Sequence, residues 1–459
     1  MKMINQKPDS MQNPLATEKV GKLLIKFAVP AVMSFLVNAL YNIVDQIFIG
    51  QGVGMLGNAA TNVAFPLTTI CTATALLLGV GSASNFNLEM GAGRKEEAGK
   101  IAGCGISLMA VSGILIAVLT GLFLTPLMKA FGATEQVFPL AATYTGITLF
   151  GFPFVIFSTG CSQLIRADGS PTYSMICIMS GAILNTILDP IFIFVFNMGI
   201  AGAALATVIG QILSALLAIR YLFRFKACKL TPKCLKPSWY YAKKITALGS
   251  AACFNQLTMT VVQIAMNNVL TYYGARSLYG SDIPLACVGV ISKVNIILIG
   301  FFVGIAQGCQ PICGFNYGAK NYSRVKETYQ KASITTLVIG IAVFICFQLF
   351  PRQIISIFGK GSEEYFLFGE RYFRIFMFMT FANGIQPLTS NFFTSIGKAR
   401  HGMLISLTRQ IIFLLPFILI FPIFMGIDGV MYAGPIADGI SALLAIILVV
   451  GEIRKWNTI

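Results

Sequence analysis

Apolar stretches of about 20 residues or more recur along the chain from Leu23 to Val450, and each is long enough to cross a ~30 Å hydrocarbon layer as a helix. Hydrophobic residues make up 56% of the chain and charged residues only 11%, whereas soluble proteins carry about 25% charged residues. The stretches are continuously apolar and do not alternate at every second residue, which argues against a transmembrane β-barrel. The sequence therefore predicts an all-α protein with many membrane-spanning helices.

Short polar segments divide these stretches into pieces of helix length. Residues 1–22 are polar and basic and lack the early apolar core of a cleavable signal, so we interpret them as a tail before the first helix. The predicted helices number twelve, at about residues 23–50, 58–88, 101–126, 137–165, 172–196, 200–224, 244–274, 284–315, 326–350, 363–394, 403–425 and 429–451.

The positive charges predict the orientation of these helices. The formal net charge is +16, with 33 Lys and Arg residues. If the N-terminus is cytoplasmic, most of them fall in inner segments, and the outer loops hold only Lys129, Arg276, Arg352 and Lys360. The positive-inside rule therefore favours two cytoplasmic termini. The basic residues are dispersed and not interleaved with aromatic residues, so we do not expect a nucleic-acid partner.

The chain contains an internal repeat. Residues 198–219 align without gaps to residues 425–446, an offset of 227, with twelve identities. Gly81 and Gly308 correspond at the same offset. Because each half has six predicted helices, we expect two pseudo-symmetric six-helix lobes of the same orientation. The predicted organisation is a cytoplasmic tail (1–22), an N-lobe (23–224), a basic cytoplasmic linker (225–243), a C-lobe (244–451) and a cytoplasmic tail (452–459).

Polar residues cluster on one face of the first predicted helix. Asn38, Asn42 and Asp45 are spaced i, i+4 and i+7, which places them on the same side of a helix. Pro30 removes a backbone hydrogen bond nearer the inner end and favours a bend there. Asn38 and Asn42 fit a cavity lining or simple hydrogen bonding between helices.

A second polar group interrupts the apolar sequence ILNTILDPIFIFVF of the fifth predicted helix. Asn185 and Asp189 are one turn apart, and Pro190 frees a carbonyl that serves as a ligand or a hinge. Thr207 and Tyr144 lie in neighbouring predicted helices, with Tyr144 near the depth of Asp189. Acids inside membranes are rare and usually face cavities. These oxygen atoms suit Na⁺, or the two carboxylates share a proton; the alternative is that Asp189 only caps or kinks its helix.

These motifs resemble the multidrug and toxic compound extrusion (MATE) family over nearly the whole chain. The matching stretches are VDQIFIG, LNTILDP, MGIAGAALAT and FNYGAKNYSRV. The resemblance implies a twelve-helix, cation-coupled exporter built from two lobes. It also implies that Asp45, Asn185, Asp189 and Thr207 bind the coupling cation, as H⁺ or Na⁺, and that Pro30 is the bending residue of the first helix.

The C-lobe departs from one branch of that family. Its first helix carries Gln256 and Gln263 but no acid, so we do not expect a cation site in this lobe. Lys293 lies too deep to reach the interface, and we expect it either to pair with Asp438 or to line the C-lobe cavity. Arg409 is near enough to the inner end of its helix for its side chain to reach the membrane surface.

The predicted function is export of amphipathic organic cations by alternating access, in exchange for H⁺ or Na⁺. Residues 1–459 contain no phosphate-binding loop and no protease motif, so we expect neither an enzyme nor a cofactor. The predicted setting is a monomer in a bacterial or archaeal cell membrane, with small-molecule drugs and the lipid bilayer as partners. The alternatives are a lipid-linked oligosaccharide flippase and a membrane receptor that does not transport.

Overall fold

The computed structural model describes residues 13–280, 282–358 and 362–456, and every regular element within them is a helix. The first half holds α1 (Pro14–Thr17), α2 (Val20–Gly52), α3 (Met55–Gly91), α4 (Lys95–Leu122), α5 (Leu124–Ala130), α6 (Phe138–Thr148), α7 (Phe152–Ala167), α8 (Pro171–Pro190) and α9 (Gly199–Leu222). The second holds α10 (Trp239–Gly274), α11 (Asp282–Gly318), α12 (Tyr322–Leu349), α13 (Pro351–Phe358), α14 (Glu363–Phe376), α15 (Ile385–Ser395), α16 (Ala399–Leu407), α17 (Leu415–Met425) and α18 (Asp428–Trp456). The all-α prediction is confirmed for this part of the chain.

Eleven helical segments of the described chain are long and apolar enough to cross a membrane. The prediction of an unbroken helix at 363–394 is wrong, because α14 ends at Phe376 and α15 begins only at Ile385. The residues between them form tight turns; for example, the backbone N–H of Ala382 donates to the carbonyl of Met379. A methyl group on Gly340 of α12 would lie 2.9 Å from the Cα of Phe381. The turns between α14 and α15 therefore pack closely against α12.

Several helix ends differ from the predicted boundaries. The first spanning helix begins at Val20 instead of residue 23, α10 begins at Trp239 instead of residue 244, and α18 continues to Trp456 instead of residue 451. These extensions carry charged residues, which an apolar count excludes but which favour helix as well as most apolar residues do. The short helices α1, α5 and α13 were not predicted, and residues 1–12, Lys360 and residues 457–459 lie outside the described residues.

The two ends of the described chain lie on one side of the molecule. The side-chain amide of Asn316, at the end of α11, donates to the carbonyl of Leu15 at 3.0 Å. Trp456, the last described residue, stacks on Tyr322 at a ring separation of 5.5 Å and also contacts Tyr317. We call this side, where α2 begins and α18 ends, the N-terminal face.

The two halves of the chain approach most closely near the N-terminal face, where α10 packs along α3 and α11 packs along α2. A methyl group on Gly249 would lie 1.7 Å from the carbonyl oxygen of Leu77, and one on Gly308 would lie 2.6 Å from the Cα of Ala28. Gly81 is equally tight against the carbonyl of Ile245. Both members of the repeat pair Gly81 and Gly308 therefore lie where the halves touch.

Polar side chains also connect the halves near this face. The buried guanidinium of Arg166, at the end of α7, donates to the side-chain oxygen of Gln307 in α11. The amide of Gln310 in α11 donates to the hydroxyl of Ser84 in α3 at 2.7 Å. Buried polar groups need such partners, so separating the halves here breaks several buried hydrogen bonds.

The linker between the halves is attached to the first half. The carboxylate of Asp168, between α7 and α8, accepts hydrogen bonds from the backbone N–H groups of Lys226 and Ala227 at 2.7 and 2.8 Å. Farther along, the hydroxyl of Ser107 in α4 donates to the carbonyl of Leu235. A methyl group on Gly103 would overlap the backbone of the linker, so the linker lies in a groove on α4.

Candidate functional site

Two carboxylates meet inside the first half of the chain. Asp189 lies in the last turn of α8 and is fully buried, and Asp45 lies in α2, which packs against α8. Their carboxyl groups are within hydrogen-bonding range of each other. No lysine, arginine or histidine of the described residues pairs with either. Two ionised carboxylates so placed repel each other and lose hydration, so a bound cation stabilises the pair.

Asn185 connects this pair to α9. Oriented so that both of its ends are satisfied, its amide nitrogen donates to Oδ2 of Asp189 at 3.1 Å and its oxygen accepts from Oγ1 of Thr207 at 3.2 Å. Asn185 is one turn before Asp189 on α8 and is also buried. The i, i+4 spacing seen in the sequence therefore places both side chains on one face of α8, where they contact each other.

Two tyrosines complete the cluster. The hydroxyl of Tyr144, in α6, lies beside Thr207 and near both carboxylates. Tyr41, one turn before Asp45 on α2, lies near the same two carboxylates. Sequence reasoning missed Tyr41, because a tyrosine in an apolar helix usually packs against other helices. Its i, i+4 spacing to Asp45 was the available signal.

The two prolines behave differently in the backbone. After Pro190, which ends α8, residues Ile191–Val195 form a π-helical turn. Such turns are rare overall, but many of those known lie at functional sites. This one begins two residues after Asp189. By contrast, α2 continues without a break through Pro30, whose carbonyl accepts a hydrogen bond from the hydroxyl of Ser34. The predicted hinge roles of both prolines stay predictions.

A small cavity lies beside the cluster. Its volume is about 70 Å³, and its polar lining includes Asn38, Tyr41, Asn185, Thr207 and Gln211. Two buried oxygens in this region, Oδ1 of Asp45 and Oε1 of Gln211, accept no hydrogen bond from any described residue. A cavity of this size holds a water molecule or a small ion.

The chemistry of these donors fits a hard cation. Asp45 and Asp189 offer carboxylate oxygens, and Thr207 offers a hydroxyl oxygen. Oxygen ligands of this kind bind hard cations such as Na⁺ in preference to softer metals. Among the described residues, no group of three or more His, Cys, Asp or Glu side chains is arranged to hold a metal. Either Na⁺ on the free oxygen of Asp45 or one proton shared by the pair satisfies this arrangement.

Of the other residues predicted to support the cavity, Asn38 lines the small cavity beside the cluster, and the glutamines and the lysine belong to the second half. Asn42 donates to the carbonyl and side-chain oxygen of Asn38 on its own helix, and both side chains are exposed. In the second half, Gln256 is partly buried on α10, and Gln263 is exposed and donates to Asn267. Lys293 is exposed on α11.

The predicted pairing of Lys293 with Asp438 is wrong. Asp438 of α18 is buried and accepts a hydrogen bond at 2.5 Å from Arg409. Arg409 is correspondingly not directed to the membrane surface, because its side chain is only 14% exposed and lies against α18. Arg409 is the second residue of a π-helical segment, Thr408–Leu414, in which residues no longer follow the α-helical spacing assumed for the prediction.

Comparison with known proteins gives consistent matches across the chain. The MatE family model matches residues 30–191 and 251–420. The multidrug export proteins MepA of Staphylococcus aureus (strain MSSA476) and Staphylococcus haemolyticus (strain JCSC1435) are each 24% identical over 431 residues, which is 94% of this chain and 93% of the relative.

Solved structures match the fold equally broadly. An outward-facing structure of a multidrug resistance MATE family transporter of the MOP superfamily superposes with a TM-score of 0.90 at 24% identity, covering 98% of this chain and 99% of that one. A MOP superfamily transporter from Pyrococcus furiosus, whose structure is described as having a binding pocket of reverse polarity, gives 0.89 at 24% identity, with 97% and 98% covered.

Proposed function

The chain belongs to the MATE family of efflux transporters, a class of multi-pass membrane transporters and not of enzymes, and from this membership we propose that it exports amphipathic organic cations in exchange for an inward-moving cation. The observation that carries the exchange is the Asp45–Asp189 pair, two carboxylates in contact inside the first half that no positive side chain of the described residues neutralises. The resemblance to the MATE family inferred from the sequence motifs is confirmed.

The proposed cycle uses the charge of this pair as the coupling element. An H⁺ or Na⁺ that reaches Asp45 and Asp189 relieves their repulsion, and the state that holds the cation is then favoured. A cation changes the equilibrium between two conformations only by its difference in affinity for them. The π-helical turn after Pro190 is a place where α8 can change its winding when the charge beside it changes.

The positions of the two ends of the described chain support a proposal for the orientation and for the number of crossings. Leu15 and Trp456 are near the same face, which requires an even number of membrane crossings. Eleven described segments qualify by length and hydropathy, so we propose that α14 and α15 together make the twelfth crossing. The basic N-terminal face is then cytoplasmic, and the inter-half contacts there close the cytoplasmic side.

Ethidium efflux from proteoliposomes tests this proposal. Asp45→Asn and Asp189→Asn are each expected to abolish efflux driven by an imposed H⁺ or Na⁺ gradient, because the neutral amide removes the charge that attracts the cation. Asp428→Asn is the matched control, since Asp428 pairs with Arg371 at the opposite face. Wild-type rates in both site variants would contradict the coupling role, and comparing efflux at fixed pH with and without Na⁺ identifies the ion.

A further inference from the structure

One face of α11 carries Lys293 together with three glycines that contact the first half. Lys293, Gly300, Gly304 and Gly308 are spaced by seven, four and four residues, which keeps them on one side of a helix. Methyl groups on Gly308, Gly304 and Gly300 would lie 2.6, 2.5 and 3.5 Å from atoms of Ala28, Val32 and Phe35, all in α2. Lys293 is therefore on the face of α11 that is directed at α2.

The same contacts give the depth of Lys293. The contacted residue number on α2 increases from 28 to 35 as the glycine number on α11 decreases from 308 to 300, so the two helices are antiparallel. If the same register continues along both helices, Lys293 lies at the depth of residues 42–43 of α2. This depth is less than one helical turn from Asp45. The side chain of Asn42 is exposed on α2 at this level.

The two helices separate toward this level. At Gly304 and Gly308 a methyl group would overlap α2, at Gly300 it would only touch it, and at Gly289 it would have no atom within 4 Å. A cleft therefore opens between the halves on the side away from the N-terminal face. Its two walls at this depth are the Asn42 side of α2 and the Lys293 side of α11.

Within the described part of the chain, Lys293 is unpaired. Its side chain is exposed, and the described residues form no hydrogen bond or ion pair with it, while Asp438 is held by Arg409. Lys293 lies eleven residues after the start of α11, about 16 Å from that end, beyond the reach of a lysine side chain to the membrane surface. An unpaired ammonium at this depth is too costly against lipid and is compatible with a water-filled cleft.

We propose that Lys293 binds an anionic group of the transported molecule, so that the preferred passengers are organic cations that also carry a carboxylate. This inference rests on the proposed export function. The cleft has the Asp45–Asp189 pair behind one wall and Lys293 on the other, and opposite charges on two walls complement a zwitterion better than a simple cation. Charge-assisted hydrogen bonds from an ammonium to a carboxylate supply the selectivity.

Two rhodamine dyes that differ in one group provide the test, one with a free carboxylate and the other its methyl ester. Efflux of each is measured in proteoliposomes for wild type, Lys293→Gln and Lys293→Arg. We expect Lys293→Gln to raise KM for the carboxylate dye about tenfold or more, the size of one charge-assisted hydrogen bond. KM for the ester should not change, and Lys293→Arg should retain most of the wild-type preference.

The outcomes separate the inference from the function on which it depends. If Lys293→Gln reduces the efflux of both dyes equally, or of neither, Lys293 does not recognise the carboxylate and the inference is overturned. It is also overturned if wild type exports the ester but not the carboxylate dye. If wild type exports neither dye under any ion gradient, the export function fails and the inference fails with it. Export of the ester by Lys293→Gln shows that this variant is folded.

Discussion

The two halves of the chain each bury carboxylates in the membrane-spanning region, but they surround them differently. In the first half, Asp45 and Asp189 lie against each other without a positive partner among the described residues. In the second half, Asp438 lies against Arg409 at 2.5 Å. A neutralised pair has no affinity left for a mobile cation, whereas an unneutralised pair retains it. We propose that one scaffold thus provides an ion site in one half, while it holds a structural ion pair in the other.

The repeat shows that these acids are not equivalent. At the offset of 227, Asp438 corresponds to Gln211, and Asp189 corresponds to Pro416. Gln211 is a neutral side chain whose Oε1 is buried without a partner. The buried acids therefore occupy different positions in the two copies of the repeat. The halves share a helical arrangement and differ in which positions carry charge.

The largest expected effect comes from giving the first half a positive charge of its own. Thr207→Lys puts an ammonium beside Asn185 and the two carboxylates, so the site becomes neutralised like that of the second half. Gradient-driven ethidium efflux should fall to the level of protein-free vesicles. Thr207→Ser keeps the hydroxyl and should transport. Efflux by Thr207→Lys at the wild-type rate would mean that the cation binds elsewhere.

In the second half, removing one partner of the ion pair should cost stability. Arg409→Leu leaves Asp438 buried and unpaired, which typically lowers the free energy of unfolding by about 3–5 kcal/mol. The double variant Arg409→Leu/Asp438→Leu should recover most of this loss. Reversible unfolding in mixed detergent micelles measures both. A double variant as unstable as the single one would show that the pair contributes more than mutual neutralisation.

A smaller effect on stability is expected at the linker, whose backbone is hydrogen-bonded to Asp168 of the first half. Asp168→Ala removes the acceptor of two backbone N–H groups and of the Tyr221 hydroxyl, which should lower the free energy of unfolding by about 2 kcal/mol. Faster proteolysis of the linker in detergent would report its release. Lys229→Ala, an exposed change in the same linker, is the control.

Asp168 also predicts a pH dependence. Burial raises the pKa of its carboxyl above 3.8, against the opposing effect of the N–H groups of Lys226 and Ala227. The folded state therefore holds this proton more tightly than the unfolded chain. The associated stability is fully present below pH 3.8 and is lost as the pH rises through the raised pKa. Asp168→Asn should flatten this part of a plot of stability against pH, and an unchanged slope would contradict the assignment.

The smallest effect is expected at the position that corresponds to Asp438. Gln211→Leu removes a buried oxygen that has no partner, and the free energy of unfolding should stay the same or rise by about 1 kcal/mol. Asp438→Leu alone should lower it, because Arg409 then loses its partner. Changes of the same sign at the two positions, measured in the same detergent, would show that the halves do not differ in the way described.

Much of the first-half cluster could be predicted from the sequence. An acid in an apolar helix is stable only where it faces a cavity or a polar partner. The i, i+4 spacing of Asn185 and Asp189 places both side chains on the same face of the helix. The spacing says nothing about how neighbouring helices are rotated, so the contact of Asp45 with Asp189 was an inference from depth and resemblance. Tyr41 was missed because aromatic side chains are common in these helices.

The second half was harder to predict. Arg409, which pairs with Asp438, lies in a π-helical segment, and no residue type in the sequence TRQIIFL indicates such a segment. The break between α14 and α15 is similarly hidden. Residues 377–384 read MFMTFANG and contain no proline, so their turns depend on contacts with α12 that local sequence does not report.

In the proposed cycle, the attachment of the linker limits where the two halves can rotate relative to each other. Residues 226–235 are held by Asp168 and by α4, so little slack remains before α10 begins at Trp239. Trp239 and Tyr240 are 83% and 59% exposed, and such aromatic rings settle among lipid headgroups. In the proposed cycle, the halves then rotate about the end of the linker, which these two rings hold at the boundary between lipid and water. We therefore expect the transport rate to depend on the headgroup composition of the inner leaflet.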